Sequence, residues 1–149
     1  MSDAAPYVSS FVLEYAYKRS LGPVLSEFFT GLRDGVLKGA RTADGRVLVP
    51  PTEYDPQSGA AIDGLVVVSE TGTIVTWTWV EHPDPKHPVD VPFAFALVRL
   101  DGTDTDLLHV VVGDRQALSS GARVRLAWKP AAERVGAMTD IAGFHLLAG

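Results

Sequence analysis

The stretch TGTIVTWTWVEHPDPKHPVDVPFAFALVRLDG, residues 71–102, holds two β-strand patterns separated by a proline-rich loop. The first pattern spans residues 65–82 and predicts either a long strand pair or one bent strand, with Thr71-Gly72 as the break. The alternation predicts one face with Val75, Trp77 and Trp79, and a second face with Ile74, Thr76, Thr78 and Val80. Residues 93–100 form the second pattern, which ends at an Asp101-Gly102 turn.

Strand patterns continue beyond this stretch to the end of the chain. They recur at residues 106–114, 123–130 and 141–148, with a loop or short helical turn at residues 117–121. Five or six strands over about 80 residues fit a small Greek-key barrel, and an OB-like barrel fits best. Periodicity alone leaves other small barrels and a sandwich open. We therefore expect a mainly β protein in which residues 63–149 form an OB-fold barrel.

The first 35 residues predict an N-terminal arm followed by a helix. In FVLEYAY, residues 11–17, four apolar side chains share one face at a period of two, which indicates either an edge strand on the chain's own core or an arm that docks on a partner. Gly22-Pro23 then opens a helix, because proline is tolerated in the first helical turn. The helix has a broad apolar face that includes Phe28 and Phe29, and this face can pack on the chain's own domain, on a partner, or on both.

The stretch RTADGRVLVPPTEYDPQSG, residues 41–59, predicts a β-hairpin within residues 36–62. Asp44-Gly45 is a strong turn signal, and a Pro-Pro exit leads to a second turn. If Arg41, Asp44, Asp55 and Ser58 were cysteines, their spacing would be C-x2-C-x10-C-x2-C, close to that of a zinc ribbon. However, the chain has no cysteine, which excludes disulfides, thiolate metal sites and cysteine nucleophiles.

Composition narrows the classes of function. The chain has 149 residues, enough for one domain, and a net charge of −5, which argues against a nucleic-acid surface. No apolar run approaches the ~18 residues of a membrane span, and the N-terminus lacks the features of a signal peptide, so we expect a cytoplasmic protein. The nucleophile elbow and the phosphate-binding glycine loops are absent, and most carboxylates fall in turns. The sequence therefore predicts no catalytic constellation.

Two features of the barrel region each allow two interpretations. His82 and His87 form an H-x4-H pattern with acidic neighbours, which indicates either a loop metal site or a solvated polar loop. Trp77 and Trp79 fit either a stacking platform, as OB folds use for bases, or the barrel core.

Three segments together carry a family resemblance: DGRVLVPPTEYDP (44–56), TGTIVTWTWVEHP (71–83) and VPFAFALVRLDG (91–102). From about residue 11 to 147 the chain resembles the domain-of-unknown-function-thirty-five family, which has an N-terminal helix and a rubredoxin-like zinc ribbon followed by an OB fold. In that family, positions matching Arg41, Asp44, Asp55 and Ser58 are usually the zinc cysteines. The resemblance therefore implies a ribbon without zinc and no cofactor. We expect turn chemistry, packing, and an ion pair from Arg41 to Asp55 or Asp44 to hold it.

The resemblance also implies a function. Family members look like non-catalytic partners of thiolase-superfamily enzymes that act on acyl-CoA, and residues 14–35 particularly resemble members beside steroid side-chain aldolases, which cleave a β-hydroxyacyl-CoA. The implied role is an accessory subunit in a hetero-oligomer with such an aldolase or a lipid-transfer-like thiolase. It would stabilise the partner and help form the acyl-CoA channel, the CoA belonging to the substrate. No activity of the chain alone is expected.

Site residues follow from this interpretation. The candidates for binding the partner are aromatic, since aromatic residues dominate interfaces: Phe11, Tyr15, Tyr17, Phe28 and Phe29. The candidates for facing the ligand are Trp77, Trp79, His82, Arg99 and His109. Two alternatives come from other classes: a free-standing OB module that binds single-stranded nucleic acid, and an independent hydrolase or lyase. The acidic charge disfavours the first, and no motif supports the second.

Overall fold

The computed structural model describes residues 5–148, and in this part the protein is mainly β, as expected. One α-helix, α1, spans Pro23–Asp34 in the described part. The strands are β1 (Lys38–Arg41), β2 (Val47–Leu48), β3 (Leu65–Val67), β4 (Thr71–Val80), β5 (Phe93–Leu100), β6 (Leu107–Val112), β7 (Arg123–Trp128) and β8 (Ile141–Leu146). No helix among residues 5–148 is long and apolar enough to cross a membrane.

Five strands close into a barrel in the order β4-β5-β6-β8-β7, which confirms the predicted OB fold. All neighbouring strands are antiparallel except β6 and β8, which run parallel. The inward face of β5 is fully buried and carries Ala94, Ala96, Val98 and Leu100. Ala94 and Ala96 are small and leave room for larger side chains from the opposite strands, which is how small barrels fill their interior.

A β-bulge in β4 corrects the predicted strand faces. The pairing with β5 shifts register between Ile74 and Thr76, so one extra residue is inserted at Val75. Because the insertion resets the alternation, Trp77 and Trp79 share the core side with buried Ile74, while Val75 is 41% exposed. The expectation that Val75 shares a face with the two tryptophans was wrong.

Helix α1 packs on the barrel of its own chain. Phe28 and Leu32 are fully buried in the barrel core, and Phe29 packs partly buried against the same cluster. The helix has no side-chain cap from Gly22, and instead the Glu53 carboxylate accepts hydrogen bonds from the backbone N–H groups of Val24 (3.2 Å) and Leu25 (3.0 Å). The expected apolar face therefore packs on the chain's own domain.

The predicted hairpin is present as β1 and β2, with Ala40 opposite Leu48. Strand β3 pairs with the other side of β1, so the ribbon region is a three-stranded sheet in the order β2-β1-β3. Its own small core contains Val24 from α1, together with Ala40, Leu48 and Ile62. The helix therefore contacts both the ribbon sheet and the barrel, and joins them into one packed body.

Residues 5–21, called the arm below, contain no helix, strand, turn or bend. The arm pairs with none of the strands described here, so the edge-strand interpretation of residues 11–17 was wrong. What the period-two pattern produces is an extended segment that lies outside both cores.

Candidate functional site

The arm exposes a continuous series of large apolar side chains. Phe11 is 82% exposed and Tyr17 is 86% exposed, and the centroids of the Tyr15 and Tyr17 rings lie 6.3 Å apart on the same side of the segment. Other large apolar side chains exposed in the arm are Tyr7, Val8, Val12, Leu13 and Leu21. Contiguous exposed apolar surface of this kind marks an interaction site in a soluble protein.

The five predicted docking residues divide into two groups. Phe11, Tyr15 and Tyr17 are exposed in the arm, whereas Phe28 is fully buried in the core and is not available to a partner. Phe29 lies between these extremes: its ring packs on Phe28 with centroids 5.3 Å apart.

The outer edge of Phe29 reaches a shallow depression where the arm meets α1. This depression also contains Leu21 and Val135, which are both exposed. Val135 comes from the loop after β7, and its position in the sequence carries no periodic signal that would predict it. The exposed apolar surface therefore continues from the arm onto the folded domain.

Among the described residues, the barrel has one apolar cleft that is suited to a small ligand. It has a volume of about 210 Å³, and its lining includes Phe95, Leu108, His109, Lys129, Met138 and Ile141. The cleft exists because β6 and β8 pair only at Val111–Phe144 and Val112–His145, so the first halves of these strands diverge. The walls are mostly apolar and Lys129 is the one basic residue among the lining side chains besides His109, so the cleft suits an apolar ligand that carries a negative charge.

His109 forms part of the cleft wall as a neutral imidazole. Its Nδ1 accepts a hydrogen bond from the N–H of Val110 (2.8 Å), so Nε2 carries the proton and donates to the carbonyl of Met138 (3.3 Å). Burial lowers the pKa of His109, and the two backbone contacts only partly oppose that effect. Since both ring nitrogens are engaged, His109 bridges the gap between the diverging strands rather than offering a free base.

The other predicted ligand-facing residues do not converge on this cleft. Trp77 lies in a neighbouring groove that shares Phe95 and Leu108 with the cleft. Trp79 donates its indole N–H to Glu81 at 2.6 Å. His82 is exposed in the proline-rich loop, and Arg99 pairs with Asp106 at 2.8 Å elsewhere on the surface. Of the five, only His109 lines the cleft.

The H-x4-H pattern does not assemble a metal site. His87 accepts a hydrogen bond from the N–H of Asp84 (2.8 Å) at Nδ1 and packs its ring on Phe93 at 5.5 Å, whereas His82 remains exposed. Within residues 5–148, no group of three or more His, Cys, Asp or Glu side chains is arranged to hold a metal ion.

A guanidinium group links the two turns of the ribbon. Arg46 Nε contacts the Asp44 carboxylate at 3.0 Å, and Arg46 Nη2 contacts both carboxylate oxygens of Asp55 at 2.8 Å. Asp55 is only 5% exposed and also accepts from the hydroxyl of Ser58 at 3.0 Å. The expected ion pair from Arg41 was wrong: Arg41 is exposed, and Arg46 makes both contacts.

The electrostatics of this cluster favour ionised carboxylates. The N–H of Gln57 and the Arg46 guanidinium lower the pKa of Asp55 to about 2. The Thr42 hydroxyl, followed by Arg46, lowers the pKa of Asp44. The same contacts raise the pKa of Arg46, so the guanidinium stays charged.

The four positions expected to replace the zinc cysteines do not fit a zinc ion. A structural zinc site takes four nitrogen or sulfur donors, whereas here the two carboxylates are bound to the Arg46 guanidinium, and Arg41 is exposed without an ion pair among the described residues. The positive charge at this place is supplied by Arg46. Sequence reasoning missed Arg46 because two arginines flank the Asp44-Gly45 turn and nothing in their spacing shows which one reaches Asp55.

Comparisons with known proteins agree with this geometry. Residues 65–129 match the family model described as "ChsH2, C-terminal OB-fold domain". A solved structure described as "Ltp2-ChsH2(DUF35) aldolase" is similar in fold, with a TM-score of 0.65 and 21% identity over 87% of this chain and 98% of that chain. A structure of unknown function from the DUF35 family of Sulfolobus solfataricus has a TM-score of 0.57 and 24% identity over 70% of this chain and 78% of that chain.

No curated protein matches the chain. The two solved structures share its fold, and the family model covers four of the five barrel strands, β4 to β7. The expected resemblance to the domain-of-unknown-function-thirty-five family is thereby confirmed, and residues 65–129 of the barrel are similar to ChsH2 C-terminal OB-fold domains.

Proposed function

We propose that this chain is a non-catalytic accessory subunit of an aldolase complex, in which a thiolase-superfamily enzyme supplies the catalytic groups. The observation that carries the proposal is the match of residues 65–129 to the ChsH2 C-terminal OB-fold domain. The solved structure of similar fold that is described as an Ltp2-ChsH2(DUF35) aldolase supports a pairing with an enzyme.

The reaction that we propose for the complex is retro-aldol cleavage of a β-hydroxyacyl-CoA from steroid side-chain degradation, in the cytoplasm. The bond between Cα and Cβ breaks, the β-hydroxyl group loses its proton to become a carbonyl, and Cα gains a proton. The products are a ketone or aldehyde and a shorter acyl-CoA. A general base and a proton donor at Cα are needed, and both would lie on the partner enzyme.

The cleft between β6 and β8 is the part of this chain best suited to contribute to the acyl-CoA channel. Its apolar walls, formed by side chains such as Leu108 and Met138, match an apolar acyl segment, and the Lys129 ammonium group matches a negative charge on the CoA. His109 would hold the wall of the cleft in place without taking part in proton transfer, because both of its ring nitrogens are engaged.

The exposed arm is the part best suited to hold the partner. Truncating both Tyr15 and Tyr17 to alanine is expected to weaken the complex at least ~10-fold, since buried tyrosines are common hot spots of interfaces. Neither side chain contacts the core, so the barrel should stay folded. Tyr54→Ala is the matched control, because Tyr54 is a tyrosine of the ribbon region that is 63% exposed.

The test is affinity capture of the tagged chain from its native cell, followed by mass spectrometry of the bound proteins. We expect a thiolase-superfamily protein in near-stoichiometric amount. The recovered complex, and not either protein alone, should then cleave a β-hydroxyacyl-CoA with release of the shorter acyl-CoA. A well-folded chain that recovers no enzyme, or a shift of oligonucleotides that depends on salt, would overturn the proposal in favour of another class of function.

We further propose that the ribbon region works without a metal, with Arg46 in the place of the zinc ion. The two carboxylates held at 2.8–3.0 Å by its guanidinium support this. Elemental analysis of the purified protein should give far less than one equivalent of zinc, and a chelator should leave the melting temperature unchanged. One equivalent of bound zinc would contradict the proposal.

A further inference from the structure

The backbone of the arm is unpaired within the part of the chain that the structure describes. Among residues 5–148, no hydrogen bond joins a backbone group of residues 5–21 to any other backbone group, and the segment contains no turn or bend. Prolines lie at both ends of the apolar part, Pro6 and Pro23, and none lies between them. Sixteen successive residues therefore retain a free N–H donor, which is what a strand needs in order to pair.

The side-chain pattern of the arm fits a strand and not a helix. Phe11, Leu13, Tyr15 and Tyr17 occupy alternate positions, and the 6.3 Å separation of the last two rings fits residues two apart in an extended chain. A helix would instead group positions three and four apart, which from Phe11 includes the charged residues Glu14 and Lys18. Only the extended form separates an apolar face from a charged one.

Among residues 5–148, a second copy of this chain offers only short sheet edges for the arm. The outer edge of β2 is covered by the loop after β5: Val47 N–H donates to Asp104 at 2.9 Å and Val49 N–H donates to Thr105 at 2.8 Å. Where β6 diverges from β8, its unpaired edge runs only from Leu107 to Val110. The other edge of the ribbon sheet, β3, is three residues long. Edges this short cannot pair with the backbone of all seven residues of segment 11–17. We therefore infer that the arm binds a different protein.

We propose that the arm binds the partner enzyme by adding a β-strand to an exposed edge of its sheet. This rests on the proposed function, which supplies the partner. In such β-augmentation the backbone hydrogen bonds provide affinity and alternate side chains provide specificity. The face with Phe11, Leu13, Tyr15 and Tyr17 lies against the partner, and the face with Glu14 and Lys18 lies toward solvent. Extended at about 3.3 Å per residue, residues 11–17 span about 20 Å of the partner's edge.

Amide hydrogen exchange at single-residue resolution tests the proposal in the complex with the enzyme recovered by affinity capture. In an edge strand, successive N–H groups point to opposite sides, so only every second amide of residues 11–18 can pair. We expect at least ~10-fold slower exchange at alternate residues of the arm when the enzyme is bound, and fast exchange throughout the arm in the free chain. Amides of β5 should be protected in both states and serve as the internal reference.

Proline substitutions provide an independent readout, because proline removes the N–H without disturbing an extended chain. Leu13→Pro is compared with Leu13→Ala, and Glu14→Pro with Glu14→Ala, so that each pair differs in the backbone donor. Only one of the two neighbouring N–H groups can face the partner. Strand addition therefore predicts that one proline variant binds at least ~10-fold more weakly than its alanine match, whereas the other binds as tightly as its alanine match.

The outcomes separate the two proposals. If no complex forms with any enzyme, the proposed function fails and the strand addition fails with it. If the complex forms but the arm exchanges fast at every residue, or both prolines behave like their alanine matches, strand addition is wrong and the accessory role stands. Protection of consecutive amides would indicate a helix on binding and would also overturn the strand.

Discussion

Replacing Glu53 by alanine is expected to destabilise the protein by about 2 kcal/mol through the start of α1. Gly22 supplies no side-chain cap, so the Glu53 carboxylate alone satisfies the N–H groups of Val24 (3.2 Å) and Leu25 (3.0 Å). A charged acceptor at a helix N-terminus is favoured by the helix dipole as well, and partial exposure keeps the figure at the low end for charged hydrogen bonds. For a chain of this size the melting temperature should fall by about 4–8 °C.

A substitution at Gly22 also tests the contact between Glu53 and the start of α1. A Cβ at this position would lie 2.3 Å from both Cδ and Oε1 of Glu53, while the φ of −71° is open to any residue. Gly22→Ala should therefore displace the carboxylate from the helix and cost about as much as Glu53→Ala, about 2 kcal/mol. Because both changes remove one interaction, the double variant should also lose about 2 kcal/mol rather than 4.

Urea unfolding of the wild type, the two single variants and the double variant measures this cycle. Glu14→Ala is the control, because Glu14 lies in the exposed arm, and it should stay within about 0.5 kcal/mol of wild type. A loss below 0.5 kcal/mol for Glu53→Ala, or losses that add in the double variant, would refute the assignment of Glu53 as the cap of α1.

Three further predictions concern the ribbon cluster and the cleft. Arg46→Met is expected to lower the melting temperature by several degrees, whereas Arg41→Met should leave it unchanged, because only Arg46 links the two turns. Asp55 has a folded pKa of about 2 against 3.8, so its contribution to stability should be present above about pH 4 and lost as the pH falls toward 2, and Asp55→Asn should remove that dependence. His109 has a lowered pKa because it is buried, so stability should decline as the pH falls below its ordinary value of 6.5, and less so in His109→Gln.

Thermal unfolding followed by circular dichroism at a series of pH values measures all three. Equal melting temperatures of the Arg46 and Arg41 variants would show that the guanidinium link does not stabilise the ribbon region. An unchanged acid profile in Asp55→Asn, or a pH dependence near 6 that survives in His109→Gln, would assign those slopes to other groups.

The strands, the hairpin and the helix could be predicted from the sequence because each depends on local order of residues. The alternation in residues 93–100 follows from the pleated strand, in which successive side chains point to opposite faces. The Asp44-Gly45 turn follows from the backbone preferences of these two residues. The helix start at Pro23 follows from the ring geometry of proline. The order of these segments fits an OB barrel best but leaves other small barrels and a sandwich open, and the family resemblance is what favours the OB fold.

Features that depend on distant contacts could not be predicted. The bulge at Val75 is set by how β4 must bend to pair with both β5 and β7, and the strand's own alternation gives no sign of it. Glu53 reaches α1 from about 30 residues away, and its role appears only when the ribbon region folds back on the helix. The cleft likewise arises from the divergence of β6 and β8, which are far apart in sequence.

Docking residues were hard to predict for a related reason. Phe28 and Phe29 are neighbours with the same chemistry, and the helical periodicity places both on a broad apolar face. Phe28 is fully buried in the barrel core, whereas Phe29 is only partly buried against the same cluster and reaches the surface. Exposure in such a case is a property of the receiving surface and not of the helix.

If the ribbon region works without a metal, as we propose, the guanidinium at its centre changes what the cell must supply for this protein to fold. A zinc ribbon needs a metal ion from the cell, and it releases that ion when its cysteine thiolates are oxidised. Arg46 is synthesised as part of the chain, and its guanidinium remains charged at every physiological pH. On that proposal, folding of this protein is expected to continue during zinc starvation and oxidative stress, conditions in which a zinc site built from cysteines loses its metal.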